Sequence, residues 1–293
     1  MTTTSPAQSS WLVKLRRFLF WLNDLPIFNT EKWPAREWGT RIIAIVAAAN
    51  FLYGRFKAFP AYLRNVDKMT TRLMNKGFSE MAANAAGILT IASVALMILI
   101  FLAYVLAWAT RARAQKPARG FMEVVFPFIV AFLPMYLTSS PQTLSRWVPP
   151  GDTYVFMFLT IYVLMVGGFA MTFLSVLNLR TSFSIMAEAR PLVRSGFFRF
   201  VRHPIYTGNF IMLLGALILH LGVRSILVYI ALVVGHYFRA RLEEKKLTQV
   251  YPEYEEYRRT TGMFLPRLSR IFTSAKAPAP LEADASGEAR SAY

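Results

Sequence analysis

The longest uncharged run in the chain constrains its fold more than any other feature. Residues 81–110 contain no Asp, Glu, Lys or Arg. At about 1.5 Å per helical residue, such a segment is longer than the roughly 30 Å hydrocarbon core of a bilayer. The composition agrees, because 55% of the 293 residues are hydrophobic and only 17% are charged. The sequence therefore predicts an integral membrane protein.

Other apolar segments extend this prediction to an all-α, polytopic membrane protein. About six transmembrane helices are expected, with five as the alternative, since one short segment could be interfacial. Pro127 and Pro134 should kink or break the third helix. The last two segments are separated only by Gly222-Val223-Arg224, which predicts a C-terminal helical hairpin. The segments besides 81–110 are Ile42–Gly54, Val124–Ser145, Thr153–Leu179, Pro204–Val223 and Ser225–Phe238.

The formal net charge of +17 does not indicate a nucleic-acid partner, because the basic residues flank apolar segments and form no single patch. With six crossings, most of these flanks share one side, which the positive-inside rule assigns to the cytoplasm. We therefore predict a bacterial-type inner membrane protein whose functional site faces the cytoplasm. The stretch from Arg55 to Lys76 violates the pattern and is interpreted as an amphipathic segment on the membrane surface. The sequence leaves the oligomeric state open.

Composition divides the chain into four parts. Residues 1–37 are predicted to be an amphipathic N-terminal segment, and 38–150 a transmembrane region of unknown role. Residues 151–272 carry most of the chemistry-bearing side chains, and 273–293 form a disordered tail rich in Ala, Pro and Ser. The chain has no Cys, which excludes disulfides and thiolate chemistry. Its 3 His residues lack metal-ligand spacing, so no metal site is predicted.

Polar side chains cluster at both ends of the predicted hairpin. Arg202 and His203 precede it, and Glu243 and Glu244 follow it. Because a hairpin returns the chain to its starting side, these residues should meet in a polar pocket at one membrane face. Pro204 suits the first helical turn, so the helix dipole would favour a neutral imidazole at His203. Simpler roles are a membrane anchor for Arg202 and solvated helical ion pairs for the two glutamates.

Together these residues resemble the isoprenylcysteine carboxyl methyltransferase and phospholipid methyltransferase superfamily. The resemblance implies S-adenosylmethionine-dependent methyl transfer in a membrane-embedded, all-helical enzyme. It also implies a cofactor in a cytoplasmic pocket and a lipophilic acceptor that enters from the bilayer. The resemblance covers about Leu174–Arg267 and is carried by Arg202-His203-Pro204-x-Tyr206-x-Gly208, Glu243-Glu244 and Tyr254-x-x-Tyr257 with Pro266.

The resemblance also implies roles for single residues. Arg202 and Arg241 would orient the acceptor, and Glu244 completes the set of catalytic residues. Tyr254, Tyr257 and Pro266 would belong to a C-terminal lid. Two positions depart from the family pattern, since Phe198 stands where Tyr is common and Tyr251-Pro252 replaces an aromatic-Gly step. The implied cofactor-binding residues are Gly196, His203, Tyr206, Gly208, Glu243 and Glu244.

Alternatives remain for both the acceptor and the reaction. The acceptor group is expected to be a carboxylate or an amine of a lipid-like substrate. A prenylated cysteine, a phospholipid amine, and a xenobiotic or quinone-like lipid are all open as acceptors. Membrane sterol and steroid reductases that use NADPH share a His-Pro-x-Tyr-x-Gly core, but they typically carry Arg-Asp where this chain has Glu243-Glu244. A non-enzymatic transporter or scaffold would place charges at the membrane midplane, whereas here they lie at segment ends. Methyl transfer is therefore the preferred function.

Overall fold

The computed structural model describes residues 34–111, 114–138 and 142–267, together with 13, 14, 16–18 and 21. No β-strand occurs within these ranges, which confirms the all-α class. Most of the predicted N-terminal segment and the whole predicted tail lie outside the described residues. The helices are α1 Pro34–Arg64, α2 Val66–Met74, α3 Glu80–Thr110, α4 Gly120–Thr138, α5 Leu144–Trp147, α6 Asp152–Leu179, α7 Pro204–Leu219, α8 Val223–Val250 and α9 Tyr254–Thr260.

Each predicted apolar segment lies at least largely on a helix, although Val124–Ser145 extends past α4 into residues outside the described ranges. In the described part of the chain, 4 helices are long and apolar enough to cross a membrane, namely Arg41–Arg64, Glu80–Thr110, Asp152–Ser182 and Val223–Val250. Gly120–Pro134 and Pro204–Leu219 are apolar but shorter. The chain is thus an integral membrane protein by the length and composition of its helices. The count of six crossings stays a prediction.

Two local features refine the expected helix bounds. Helix α4 continues through Pro127 and Pro134, so neither proline breaks it. A proline at 127 leaves the carbonyl of Glu123 without its helical donor. Ala187 N replaces the missing donor and forms a hydrogen bond of 3.0 Å to Glu123 O. Helix α8 also extends well beyond the expected end at Phe238, because the following residues are strong helix formers such as Ala, Leu, Glu and Lys.

Core packing shows how the ends of the helices are arranged. Trp108, near the end of α3, shares a core cluster with Met186, which follows α6. Phe78, just before α3, shares a second core cluster with Leu219, the last residue of α7. The helices α3 and α6 therefore run parallel, and α7 returns antiparallel to both. We call the end that holds the start of α7 the site end, and the end that holds the α7–α8 turn the far end.

Glycines allow α6 and α7 to approach each other closely. A Cβ atom added at Gly208 would lie 2.5 Å from Thr172 Oγ1, and one at Gly168 would lie 2.5 Å from Met212 N. Small residues at such crossings let helix backbones pack directly, as is common in membrane proteins. Gly167 also lies in α6, but a Cβ atom there would meet nothing within 4 Å. The two adjacent glycines therefore differ in what they contact.

This difference gives a matched stability test. Gly168→Ala should destabilise the protein by about 1–3 kcal/mol, because the new methyl group would overlap the backbone of α7. Gly167→Ala should be neutral or stabilising by up to about 1 kcal/mol, since alanine favours the helix and has room. Thermal unfolding of both variants in one detergent measures the effect. Equal midpoints for the two variants would contradict this account of the α6–α7 contact.

Candidate active site

Glu244 is the centre of a buried polar cluster at the site end. Its Oε1 accepts a hydrogen bond from Arg202 Nε at 2.7 Å and lies 3.1 Å from His203 Nε2. Glu244 is only 2% exposed, and Arg202 and His203 are each 8% exposed. A buried carboxylate is costly unless it is paired and hydrogen-bonded. The hairpin thus joins the start of α7 to α8 through a compensated ion pair.

Glu243 makes a second set of contacts with α7. The Tyr206 hydroxyl donates to Glu243 Oε1, and His203 Nδ1 lies 3.7 Å from Glu243 Oε2. The imidazole of His203 also stacks on the Tyr206 ring, with 5.3 Å between their centroids. His203 therefore lies between the two carboxylates, with one ring nitrogen directed to each. Four predicted site residues, in addition to Arg202, are brought together here.

Residues 261–264 cover this cluster by backbone pairing. Arg202 N donates to Gly262 O at 2.8 Å, and His203 N donates to Met263 O at 3.0 Å. The Arg202 guanidinium adds hydrogen bonds to the carbonyls of Thr261 and Arg258. Arg202 thus holds both Glu244 and the C-terminal segment. No pattern in the sequence predicts these carbonyl contacts, because they depend on how the chain returns after α9.

Helix α9 closes the outer side of the site. Tyr254 and Tyr257 are both buried, and the Tyr257 hydroxyl donates to the backbone carbonyl of Phe198. Burial raises the pKa of Tyr254, and the nearby carboxylate of Glu244 raises it further, so the phenol stays protonated. The contact with residue 198 uses only its backbone and does not require the Tyr that is common in the family. The role of this segment as a lid stays a prediction.

Three of the predicted site residues lie outside the cluster. Arg241 is exposed on α8. Gly208 faces α6, where the absence of a side chain is explained by helix packing. Gly196 has a φ of 58°, and a Cβ atom there would lie 1.7 Å from Asn178 Nδ2, so a turn and a close contact both require glycine. The structure therefore gives both glycines a packing role.

The predicted site residues do not include Arg239 or His236, although Arg239 follows the hairpin and is expected at the same membrane face as Glu243. Arg239 is 5% exposed, and its guanidinium lies 5.0 Å from the centre of the Tyr206 ring. Its Nη2 donates to Ile185 O at 2.8 Å. The His236 ring meets Tyr206 edge to face at 4.6 Å. Spacing was a further signal, because Arg239 precedes Glu243 by about one helical turn.

Two buried polar atoms beside the cluster lack a hydrogen-bond partner within the described part of the chain. Among the described residues, Glu244 Oε2 and Arg239 Nε have no hydrogen-bond partner. Leaving a buried donor or acceptor unsatisfied costs about 1–3 kcal/mol, so such atoms usually have a partner. One of these atoms is an acceptor and the other is a donor. A ligand donor would satisfy the first atom, and a ligand acceptor would satisfy the second.

A second ion-pair network supports α8 from the side of α4. Lys246 Nζ lies 2.7 Å from Glu123 Oε2 and also donates to Pro117 O. Glu123 Oε2 accepts a further hydrogen bond from Arg119 N at 2.7 Å. Lys246 is 4% exposed, so this pair is largely shielded from solvent. The network fixes the extension of α8 that carries the two glutamates.

At the site end, the side chains of Arg202, His203, Glu243 and Glu244 form one connected cluster. A shallow surface depression of about 520 Å³ lies at the far end, beside the start of α3. It therefore belongs to a different end of the molecule from the buried ion pairs, and the cytoplasmic pocket stays a prediction. The lining residues of the depression are Glu80, Met81, Asn84, Ala85 and Ile88.

The fold and the site define a helical membrane protein with a buried carboxylate, guanidinium and imidazole cluster between two hairpin helices. Residues 159–249 match the model of the Isoprenylcysteine carboxyl methyltransferase (ICMT) family. The matched segment runs from within α6 almost to the end of α8 and includes Arg202, His203 and Glu244. The resemblance inferred from the sequence is thus confirmed for this segment.

Two curated proteins are similar to parts of the chain. The Cobalt-zinc-cadmium resistance protein CzcN of Cupriavidus metallidurans is 39% identical over 80 residues, which cover 27% of this chain and 37% of that protein. The Nickel-cobalt-cadmium resistance protein NccN of Alcaligenes xylosoxydans xylosoxydans is 30% identical over 128 residues, or 43% and 56% of the two lengths. The chain therefore spans about half or less of these relatives. In its described residues, no group of three His, Asp or Glu side chains is arranged to hold a metal ion.

Proposed function

We propose that the chain catalyses S-adenosylmethionine-dependent transfer of a methyl group to a lipophilic acceptor that enters from the bilayer. The match to the ICMT family supports methyl transfer as the reaction class. The observation that carries the proposal is Glu244, which is buried and held by Arg202 and His203 through one oxygen. Its second oxygen has no partner among the described residues. A ligand with hydrogen-bond donors would supply the missing partner of this oxygen.

The residues present fit the proposed cofactor. S-adenosylmethionine supplies an electrophilic methyl group on a cationic sulfonium, and it also carries hydroxyl, amino and carboxylate groups. Glu243 and Glu244 offer negative charge and acceptor oxygens, which favour a cation with donors. We therefore assign cofactor binding to Glu243, Glu244, His203 and Tyr206.

Arg202 acts in this proposal as a positioning residue. Its guanidinium already donates to Glu244 and to the carbonyls of Arg258 and Thr261. It therefore fixes the orientation of Glu244 and holds the C-terminal segment over the site. Arg239 is the better candidate to orient the acceptor, because it is buried beside Tyr206 while Arg241 is exposed.

Aromatic side chains around the cluster would keep water out during the reaction. Phe264 packs edge-on against Phe210 at 5.2 Å. Phe264 also lies beside the His203 and Tyr206 rings, and Phe210 lies beside the His236 ring. A direct displacement needs the nucleophile and the methyl group to be aligned in a dry site. A carboxylate or neutral amine acceptor would need no base. An ammonium acceptor would first transfer a proton to a nearby carboxylate such as Glu243.

The location of the site is part of the proposal. Basic residues are concentrated at the site end, where Arg111, Arg190, Arg239 and Lys246 are all buried. The positive-inside rule assigns such an end to the cytoplasm. We therefore place the site on the cytoplasmic side of a bacterial inner membrane. A cysteine-labelling experiment with single cysteines at Arg241 and Arg224 would identify the exposed side.

Calorimetry on the purified full chain tests the choice of ligand. We expect S-adenosylmethionine or its demethylated product to bind with a Kd of about 1–100 μM, equivalent to roughly 5–8 kcal/mol. NADPH should not bind, and ATP serves as a nucleotide control. Binding of NADPH alone would favour the reductase alternative. Binding of none of them would favour a transporter or scaffold.

A further inference from the structure

The basic residues at the end of α1 and along α2 have no role in the proposed methyl transfer. Helix α2 and the adjoining end of α1 at Arg64 lie at the far end, because Leu73 of α2 packs in the same core cluster as Leu219. Arg64, Lys68 and Arg72 are all exposed, and we call these three residues the basic face. It is separate from the cluster around Glu244, which occupies the opposite end of the helices.

The orientation of α2 is set by its apolar side. Thr70 and Leu73 are buried, and Val66 and Thr70 approach Gly87 of α3. Packing of this side against α3 turns Lys68 and Arg72 outward, one helical turn apart. Two like charges at this spacing repel each other and destabilise an isolated helix. An external anion between them would remove that repulsion.

The basic face also differs from the site end in its partners. At the site end, Arg190, Arg202 and Lys246 each form an ion pair with a carboxylate of the protein. Across the described ranges, no residue of the basic face forms an ion pair or a hydrogen bond through its side chain. Asp67 is the one acidic residue on α2. The positive charge of the basic face can therefore be neutralised only by an anion from outside the described chain.

Exposed apolar side chains stand next to the basic face. Tyr62 is 40% exposed, Leu63 48% and Met74 40%. Basic side chains beside exposed aromatic and aliphatic ones are typical of segments that lie in the headgroup region of a bilayer. The chain is already anchored by its apolar helices, so this face is held close to headgroups. We propose that the basic face binds the phosphate of anionic phospholipid headgroups.

The proposal is independent of the methyl-transfer reaction and of which side of the membrane each end faces. It predicts a headgroup preference that depends on charge at Lys68 and Arg72. The matched control is the pair Lys245 and Arg259, which are also exposed but belong to the site end. Replacing either pair with Gln removes the same formal charge.

Native mass spectrometry of the full chain in detergent, titrated with phosphatidylglycerol or phosphatidylcholine, tests the proposal. The unmodified protein and Lys245→Gln/Arg259→Gln should retain phosphatidylglycerol about tenfold better, since each surface basic residue adds a measurable attraction. Lys68→Gln/Arg72→Gln should lose most of this preference. No preference in the unmodified protein, or equal preference in both variants, would overturn the proposal. Equal competition by soluble glycerol 3-phosphate would also overturn it, because the ligand would then be a free phosphate.

Discussion

Glu244→Gln is expected to abolish methyl transfer and to weaken binding of S-adenosylmethionine by about 100-fold. A hydrogen bond to a charged group contributes about 1.5–3 kcal/mol, which corresponds to a factor of this size. Glutamine keeps the shape of the side chain and an acceptor for Arg202 Nε. It removes the negative charge and places an amide donor where the acceptor Oε2 has no partner in the described structure. Calorimetry and a labelled-methyl assay measure the two effects.

Glu256→Gln is the control for this variant. Glu256 carries the same charge but is exposed on α9, so both binding and activity should be unchanged. Glu244→Gln should also cost about 1–3 kcal/mol of stability, because Arg202 stays buried without its counter-ion. The variant must therefore be assayed well below its unfolding midpoint. Full activity in folded Glu244→Gln would show that this carboxylate has only a structural role.

Arg202→Met is expected to reduce the free energy of unfolding by about 3–5 kcal/mol. Removing one partner of a buried ion pair leaves the other charge uncompensated, and values of this size are typical. The substitution also removes the donor to the carbonyls of Arg258 and Thr261. Thermal unfolding in detergent gives the stability change. Hydrogen exchange should increase most in residues 254–264, since these cover the site through Arg202.

Arg241→Met provides the comparison for this second variant. Arg241 is an exposed arginine of α8, so its replacement should change stability by less than about 0.5 kcal/mol. Arg202→Lys should also be harmful, because an ammonium group does not reproduce the planar fork of the guanidinium. The double variant Arg202→Met/Glu244→Gln should be less destabilised than the sum of the single variants. Additive effects would mean that the two side chains are not coupled.

Hydrophobic patterning predicted much of this fold. Each apolar segment contains a helix that covers most of its described residues, because charge-free runs of this length bury their backbone polar groups best as helices. The short Gly222-Val223-Arg224 break predicted the hairpin that brings His203 to Glu244. Pattern alone could not predict that α4 continues through Pro127. That outcome depends on Ala187, which donates to the freed carbonyl from a distant part of the chain.

In the site too, the features set by residue order were predicted, whereas those that depend on long-range packing were not. The residue types and their order predicted that Arg202, His203, Tyr206 and the two glutamates belong together. Helical spacing could not choose between Arg239 and Arg241, because each lies about one turn before a glutamate. In the structure, Arg239 packs against Tyr206 and is buried, so Arg239 lies beside the cluster and Arg241 does not. Gly208 was assigned to the cofactor by resemblance, whereas its contact with α6 is visible only in three dimensions.

Labelled methyl transfer in native membranes tests the central claim most directly. Membranes that contain the chain, incubated with S-adenosylmethionine labelled in its methyl group, should yield a labelled product that extracts into organic solvent. Membranes with Glu244→Gln at equal expression should yield only the background level. The account is contradicted if the two membranes give the same extractable label, or if the label is confined to water-soluble products.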